Sequence, residues 1–431
     1  MLGKFFIYIK SWKYLNLKNK TINCIVVTQP GIYDDCLKHL KNYCWIEPLY
    51  KNIFHFSLIF PGLIHFCRAL INDFKFTIQI WKFWPTFIFT LGLISKKKIN
   101  TIISLTDYQT FPFYLKKIFK EKIKIIALQN SSRAYPLDRV GFIRKYDTYF
   151  LWNELNNNEK KRYNNISSTK PFGSLRMNLV INKNNFWEKI YRYPEKTRMK
   201  KICLISTYSS HHMSFFNKYL KGHNKDNFFL IIKKLEKKYK FQNKNNKLEK
   251  LKIEFMYLQI LEFFYMIIFI KNFLDKHKFK LEIIERHKPS HPDFIKEKEF
   301  YKFFFEKDNV LSFNNHDQRL KYILKNKNLL FITNISSLGR EILSVNQKAF
   351  FYSKWLYKFN PSYFQKSSIF FGINCDYEKF ERSILKLLNI SGKNYYKNLK
   401  KLKKTISAFV PKKENLKLFL NKSNISLNKV T

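Results

Sequence analysis

Glycine and proline are scarce in this chain, at 10 and 12 of 431 residues. Collagen-like repeats and flexible linker proteins are thereby excluded. Acidic residues are few as well: 31 Asp and Glu face 80 Lys and Arg, a net charge of +49. The six cysteines (Cys24, Cys36, Cys44, Cys67, Cys203 and Cys375) include no C-x-x-C pair. Their irregular spacing speaks against both a disulfide framework and a zinc site, and a reducing, cytosolic compartment is expected. Long uncharged runs are missing too. The stretch from Asn52 to Cys67 is broken by Pro61-Gly62, Phe83 to Ser95 is shorter, and Glu262 interrupts Phe255 to Ile270. None reaches the ~20 apolar residues of a spanning helix. The opening MLGKFFIYIKSWK has neither the apolar core nor the cleavage site of a signal peptide. The three greasy stretches read as buried or half-buried helices. Trp81, Phe83 and Trp84, beside Lys82 and Lys96, are the best candidates for lying at a membrane surface.

What is present is a globular composition: 45% apolar residues and 18% aromatics, with 45 Phe and 26 Tyr. The length suits two or three domains. Two causes can raise the charge so far. One is a polyanionic partner; the other is the codon bias that favours Lys, Asn, Ile, Phe and Tyr together, and most of the excess is assigned to the latter. The cationic surface is physically real in either case and should favour an anionic membrane surface. Basic residues run along the whole chain without a nucleic-acid module, so no specific nucleic-acid partner is expected.

Short apolar runs alternate with helical stretches. Strands are predicted at Thr21–Val27, Asn100–Leu105, Lys124–Gln129 and Thr148–Trp152. A second series covers Lys200–Thr207, Leu281–Arg286, Asn309–Phe313, Leu329–Asn334, Lys348–Ser353 and Ser367–Gly372. This pattern predicts βαβ units and parallel sheets. The series break at 182–198, so the expected domains are 1–190 and 191–390, followed by a basic helix or tail over 391–431 that frays from about Lys393. Ligands collect at the carboxyl ends of parallel strands, so two such domains are expected to face each other across a cleft.

Several turns could carry chemistry. Asn334 to Glu341 follows a buried strand and opens a helix. There Ser336 and Ser337 can cap, Gly339 permits close approach, and Glu341 stands one turn inside. A helix mouth of this kind offers free N–H groups to a diphosphate, and an ordinary capping box competes as an explanation. The strand end Glu285-Arg286-His287-Lys288 is dense in cations, and Arg286 suits a phosphate. His291 and Asp293 follow it, a pair lacking a third metal ligand, so no metal is expected. Ser206 to His212 ends the first strand of the second series, with at most one of His211 and His212 in a position to act. In the first half, Asp107 follows a strand and could be a general base or a helix cap. Gln129, Asn130, Ser131, Ser132 and Arg133 form a polar cluster after the next strand. Phe172-Gly173-Ser174-Leu175-Arg176 reads as an interdomain turn.

In order and spacing, these segments resemble the bacterial surface-carbohydrate (O-antigen) biosynthesis proteins, distant kin of GT-B glycosyltransferases and of CDP-glycerol glycerophosphotransferases. The matching pieces are Ile125–Arg133, Pro171–Asn178, Cys203–Ser209, Ile283–Lys288, and above all Ile332–Leu343 followed by Gln347–Ser353. Ser337 replaces the family's usual Thr, and Ser131 stands where its Gln-Asn-Gly turn has Gly. The resemblance implies a GT-B-type α/β fold of two Rossmann-like domains. It implies a transferase that moves a glycosyl group from a nucleotide-sugar to a lipid-linked or glycan acceptor in surface polysaccharide assembly, at the cytoplasmic face of the membrane. The same resemblance leaves a polyol-phosphate transferase or a nucleotide-sugar epimerase as alternatives. Carried over residue by residue, Ser336, Ser337, Leu338 and Gly339 hold the diphosphate, Glu341 the ribose, and Arg286 and His287 a phosphate or the base. Gln129, Asn130 and Arg133 meet the acceptor, and Asp107 and His212 are the catalytic candidates. No cofactor and no metal is implied.

Overall fold

The computed structural model describes residues 13–14, 21–28, 37–47, 53–79, 83–105, 111–129, 146–152, 166–192, 194, 200–224, 227–239, 248–305, 309–334, 336–355, 357, 368–403 and 411–427. The chain forms two compact units. One comprises 1–132, 137–184 and 411–431; the other comprises 133–136 and 185–410.

The first unit is built on strands β1 (Cys24–Val27), β2 (Tyr43–Ile46), β3 (Thr101–Ser104), β4 (Lys124–Leu128), β5 (Thr148–Leu151) and β6 (Thr169–Pro171). They form one sheet in the order β2-β1-β3-β4-β5-β6, every pairing parallel. β1, β3 and β5 are buried along their whole length, which is why they read as unbroken apolar runs rather than alternating ones. Helices α1 (Phe56–Asn72), α2 (Phe74–Gln79), α3 (Trp84–Lys97), α4 (Phe111–Phe119) and α5 (Leu175–Lys183) accompany this sheet. α1 and α3 cross with their backbones in contact. A Cβ on Gly62 would stand 2.1 Å from the Ile88 carbonyl oxygen, and one on Gly92 only 2.0 Å from that of Leu58. No other residue fits either position, so two of the ten glycines are spent on one crossing.

The second unit holds β7 (Lys201–Ile205), β8 (Lys280–Ile284), β9 (Asn309–Leu311), β10 (Leu330–Thr333), β11 (Lys348–Ser353) and β12 (Phe371–Ile373). Their order is β9-β8-β7-β10-β11-β12, again all parallel. This is the doubly wound order, with its reversal between β7 and β10. The helices are α6 (Ser210–Tyr219), α7 (Phe228–Tyr239), α8 (Leu248–His277), α9 (Phe294–Phe304), α10 (His316–Lys325), α11 (Ser337–Ser344), α12 (Tyr377–Asn389) and α13 (Gly392–Lys403). The expected α/β class and the two Rossmann-like units are therefore present.

Contrary to the expectation that no stretch reaches spanning length, α8 contains one among the described residues that is long and apolar enough to cross a membrane, Tyr257–His277, and 67% of its apolar window is buried in the unit. Glu262, which interrupts that stretch, is itself fully buried. Its carboxylate accepts the N–H groups of Lys354 and Trp355, both at 2.9 Å, and so holds the turn after β11. The charge that broke the apolar run is thus a structural acceptor.

Three further expectations are revised. The chain does not fray from Lys393: α13 is regular, and α14 (Lys413–Ser423) belongs to the first unit. There the Phe419 ring meets Phe150 and Phe172 at 5.3 and 5.4 Å. Gly173 adopts φ +80° and Ser174 caps α5, so the Phe172–Arg176 segment is a strand-to-helix turn inside the first unit. Phe83 and Trp84 pack on that unit's core, with Trp84 Nε1 donating to the Thr77 carbonyl at 2.8 Å. Trp81 and Lys82 lie outside the described residues.

Candidate functional site

The carboxyl ends of β7, β8 and β10 gather the second unit's polar turns. α11 begins directly after β10. Ser336 is its N-cap, extended at φ −138° and ψ 130°, with its hydroxyl oxygen accepting the Leu338 N–H at 3.2 Å. Ser336 and Ser337 are half-buried, whereas Leu338, Gly339 and Glu341 are buried. The serines therefore present the helix mouth, and the other three residues support it. Gly339 faces the sheet: a Cβ there would meet the Phe351 ring at 2.8 Å and the Thr333 methyl at 2.9 Å. Its closeness on that side serves helix–strand packing. Glu341 is 4% exposed, and its carboxylate lies 3.7 Å from His316 Nε2 at the start of α10. This contact links α11 to the start of α10.

Across the reversal, the Thr207 hydroxyl donates to Asn334 Oδ1 at 2.7 Å. Both residues are buried, and Asn334 Nδ2 has no hydrogen-bond partner among the described residues. The turns after β7 and β10 are thus tied at the crevice where doubly wound sheets bind ligands.

A buried carboxylate fixes the third turn. Glu297 on α9 is fully buried. Its Oε1 accepts the Arg286 N–H at 2.9 Å and the Ser206 hydroxyl; its Oε2 accepts the His287 N–H at 3.0 Å and His287 Nδ1–H at 2.8 Å. Nε2 is then the ring nitrogen of His287 that Glu297 does not engage. Arg286 is exposed, and its Nη1 donates to the Tyr208 carbonyl at 3.0 Å, which carries the guanidinium over the β7 turn. Arg319 Nη2 donates to the Arg286 carbonyl at 3.3 Å. Two guanidinium groups, an imidazole and a helix N-terminus therefore share one end of one sheet. Oriented N–H groups and cations of this kind are suited to an anion.

Beside them, His287, His291 and Asp293 offer ligand atoms within 4.8 Å of one another. His287 is the third partner that the sequence pattern lacked. The two rings stack at 4.2 Å, however, and His291 Nδ1 already accepts the Asp293 N–H at 3.1 Å. The two imidazoles thus lie face to face, with His287 Nδ1 and His291 Nδ1 each already engaged.

Glu285, also at this end, is buried, and its carboxyl is raised to about 7. Burial is the main cause and the Glu297 charge adds to it, while a hydrogen bond with Ser312 works in the other direction.

His212 does not reach the crevice. Its Nδ1 accepts the Ser209 N–H at 2.9 Å, capping α6, and its ring is buried against Phe263 at 4.4 Å. Burial, followed by the Arg286 charge, lowers its pKa to about 3. A neutral, enclosed imidazole is a structural cap, which corrects its placement among the catalytic candidates.

In the first unit, Gln129 is buried. Its side-chain carbonyl accepts the Trp152 N–H at 2.9 Å, joining the ends of β4 and β5. It is a strut and is not turned outward to an acceptor. Asp107, Asn130 and Arg133 lie outside the described residues. Sequence reasoning missed Glu297 and Arg319, and named Thr207 without its partner Asn334. Glu297 had a signal, as the sole acidic residue in the first turn of a helix that follows a cationic turn.

No protein-family model and no curated protein matches the sequence. Among solved structures, the chain is similar to UDP-GlcNAc 2-epimerase from Methanocaldococcus jannaschii, at 12% identity and a TM-score of 0.46, over 93% of this chain and 99% of that one. It is also similar to the wall teichoic acid polymerase TagF, at 11% identity and a TM-score of 0.46, over 98% and 92%. MurG from Acinetobacter baumannii matches at 8% identity and a TM-score of 0.39, over 92% and 90%.

Proposed function

We propose that the chain is a transferase moving a glycosyl group from a nucleotide-activated donor to a lipid-linked or glycan acceptor in surface-polysaccharide assembly. The second unit holds the donor. What supports this reading is the cluster of polar turns at the reversal between β7 and β10, where the Thr207–Asn334 tie joins the turn before α11 to the β7 turn that Arg286 overlies. In this reading the first N–H groups of α11, framed by Ser336 and Ser337, receive the diphosphate. Arg286 neutralises the phosphate charge that grows as the glycosidic bond breaks. His287 is held beside Arg286 by Glu297. Asp107, directly after β3, takes the acceptor's proton.

Calorimetry with UDP, CDP, GDP and CMP tests the donor half. One nucleoside diphosphate should bind, and Arg286→Ala should weaken it by at least about tenfold, as loss of a charge-assisted contact does. The absence of heat with every nucleotide refutes the reading. Supplying the nucleotide-sugar without acceptor tests the other half: rapid release of an epimer would assign the chain to isomerisation instead.

A further inference from the structure

α1 is apolar on two sides. Its inner face, Leu58, Gly62, Phe66 and Ala69, is buried, and the Gly62–Gly92 contacts lock it onto α3. Its outer face is open. Phe56 is 70% exposed, Phe60 74% and Ile71 83%, with Leu63, Ile64 and Cys67 also exposed between them. The same three-to-four-residue spacing continues into α2 through Phe74 and Ile78, both exposed. Isolated exposed apolar residues are ordinary, but a stripe along two consecutive helices is not.

The charges around the stripe select its partner. From Phe56 to Lys98 the only acidic residue is Asp73, and Lys117 holds it at 2.5 Å. The cations Arg68, Lys75, Lys96 and Lys98 are exposed. An apolar face whose rim is mainly cationic, with its one acidic residue from Phe56 to Lys98 paired to Lys117, matches the interface of an anionic bilayer, where side chains enter the acyl boundary and cations meet headgroups. A second copy of the chain would bring +49 against +49.

We infer that the outer stripe of α1 and α2, and not the neighbourhood of Trp84, is a membrane-docking face that inserts Phe60 and Ile71 shallowly into an anionic lipid surface. The inference does not depend on the donor-site reading, since no nucleotide enters its test.

The test uses the full chain with vesicles of phosphatidylcholine, with or without phosphatidylglycerol, at ~0.15 M salt so that exposed charges are screened. The protein should sediment with phosphatidylglycerol vesicles. The double variant Phe60→Ser/Ile71→Ser, of unchanged net charge, should lose at least roughly tenfold in partition coefficient with its circular dichroism preserved. An independent arm labels Cys67 with an environment-sensitive fluorophore in a Cys36→Ser background, leaving the stripe intact. Its emission should shift to the blue when phosphatidylglycerol vesicles are added. Equal binding by the double variant would reduce the effect to polycation adsorption and overturn the inference. So would a label whose emission stays that of water. A dimer that the double variant abolishes, with no vesicle binding by the parent, would assign the stripe to self-association instead.

Discussion

The hydroxyl of Thr207 and the side-chain carbonyl of Asn334 meet at 2.7 Å across the one place where the second sheet changes winding direction. Their partnership joins two turns that are 127 residues apart in sequence. Thr207→Val keeps the shape and removes the donor, leaving Asn334 Oδ1 buried. A stability loss of about 1–3 kcal/mol is expected by chemical denaturation. If this crevice holds the donor, nucleotide affinity should fall with it, while Thr207→Ser should restore both.

Glu297 receives four donors from the turns after β7 and β8. Removing its charge leaves those donors without their acceptor in a closed setting. Glu297→Ala should cost about 3–5 kcal/mol. Glu297→Gln should cost less, because one oxygen still accepts. Equal loss in both variants would show that packing, and not the carboxylate, holds the turns.

Glu285 supplies a pH signature. Its folded pKa of about 7 lies above the ordinary 4.5. Its contribution is therefore fully favourable below about pH 4.5 and is lost as pH rises through 7, because the folded state must then bury a charge. Glu285→Gln should flatten the decline in melting temperature across this window. At pH 8 it should be more stable than the parent by ~2 kcal/mol.

His212 acts at the other end of the scale. Its folded pKa of about 3 lies below the ordinary 6.5. The unfolded chain therefore takes up a proton that the folded chain refuses, and stability falls as pH drops from 6.5 towards 3. The slope from this group approaches ~1.4 kcal/mol per pH unit. A His212→Asn variant, which can still accept the Ser209 N–H, should lose that slope in acid denaturation.

Gly339→Ala separates packing from ligand approach. The added methyl would press on the Phe351 ring and the Thr333 methyl. Overpacking of this kind costs about 1–3 kcal/mol. If the glycine serves only the helix–strand contact, nucleotide affinity should stay within about twofold of the parent once both are folded.

Much of the fold was legible because parallel strands buried on both faces write themselves as apolar runs. CIVV, TIIS, KICLI and LFIT each lie within one to three residues of their expected limits. Strands without that signature were not. Thr169–Pro171 at the sheet edge is only half-buried and carries a lysine and a proline, so it reads as loop. The site was legible where chemistry sits on consecutive residues, as at Ser336-Ser337 and Arg286-His287. It was illegible where function depends on which way a side chain turns. Gln129, His212 and Glu341 are all polar residues near strand ends or helix starts, and all three turn inward to satisfy backbone or buried partners. Their identity alone does not encode that choice. The exposed stripe on α1 was hidden for a related reason. A helix apolar all round looks like a core helix until the structure reveals which side has a neighbour.

The return of α14 to the first unit has a consequence for how the molecule is made. During synthesis the ribosome releases Phe150 and Phe172 long before Phe419, the ring that closes over them. The contacts of Phe419 with these rings cannot form until the residues of the second unit have been synthesised. Assembly order is therefore inverted relative to chain order, and the last few turns of helix act as the latch.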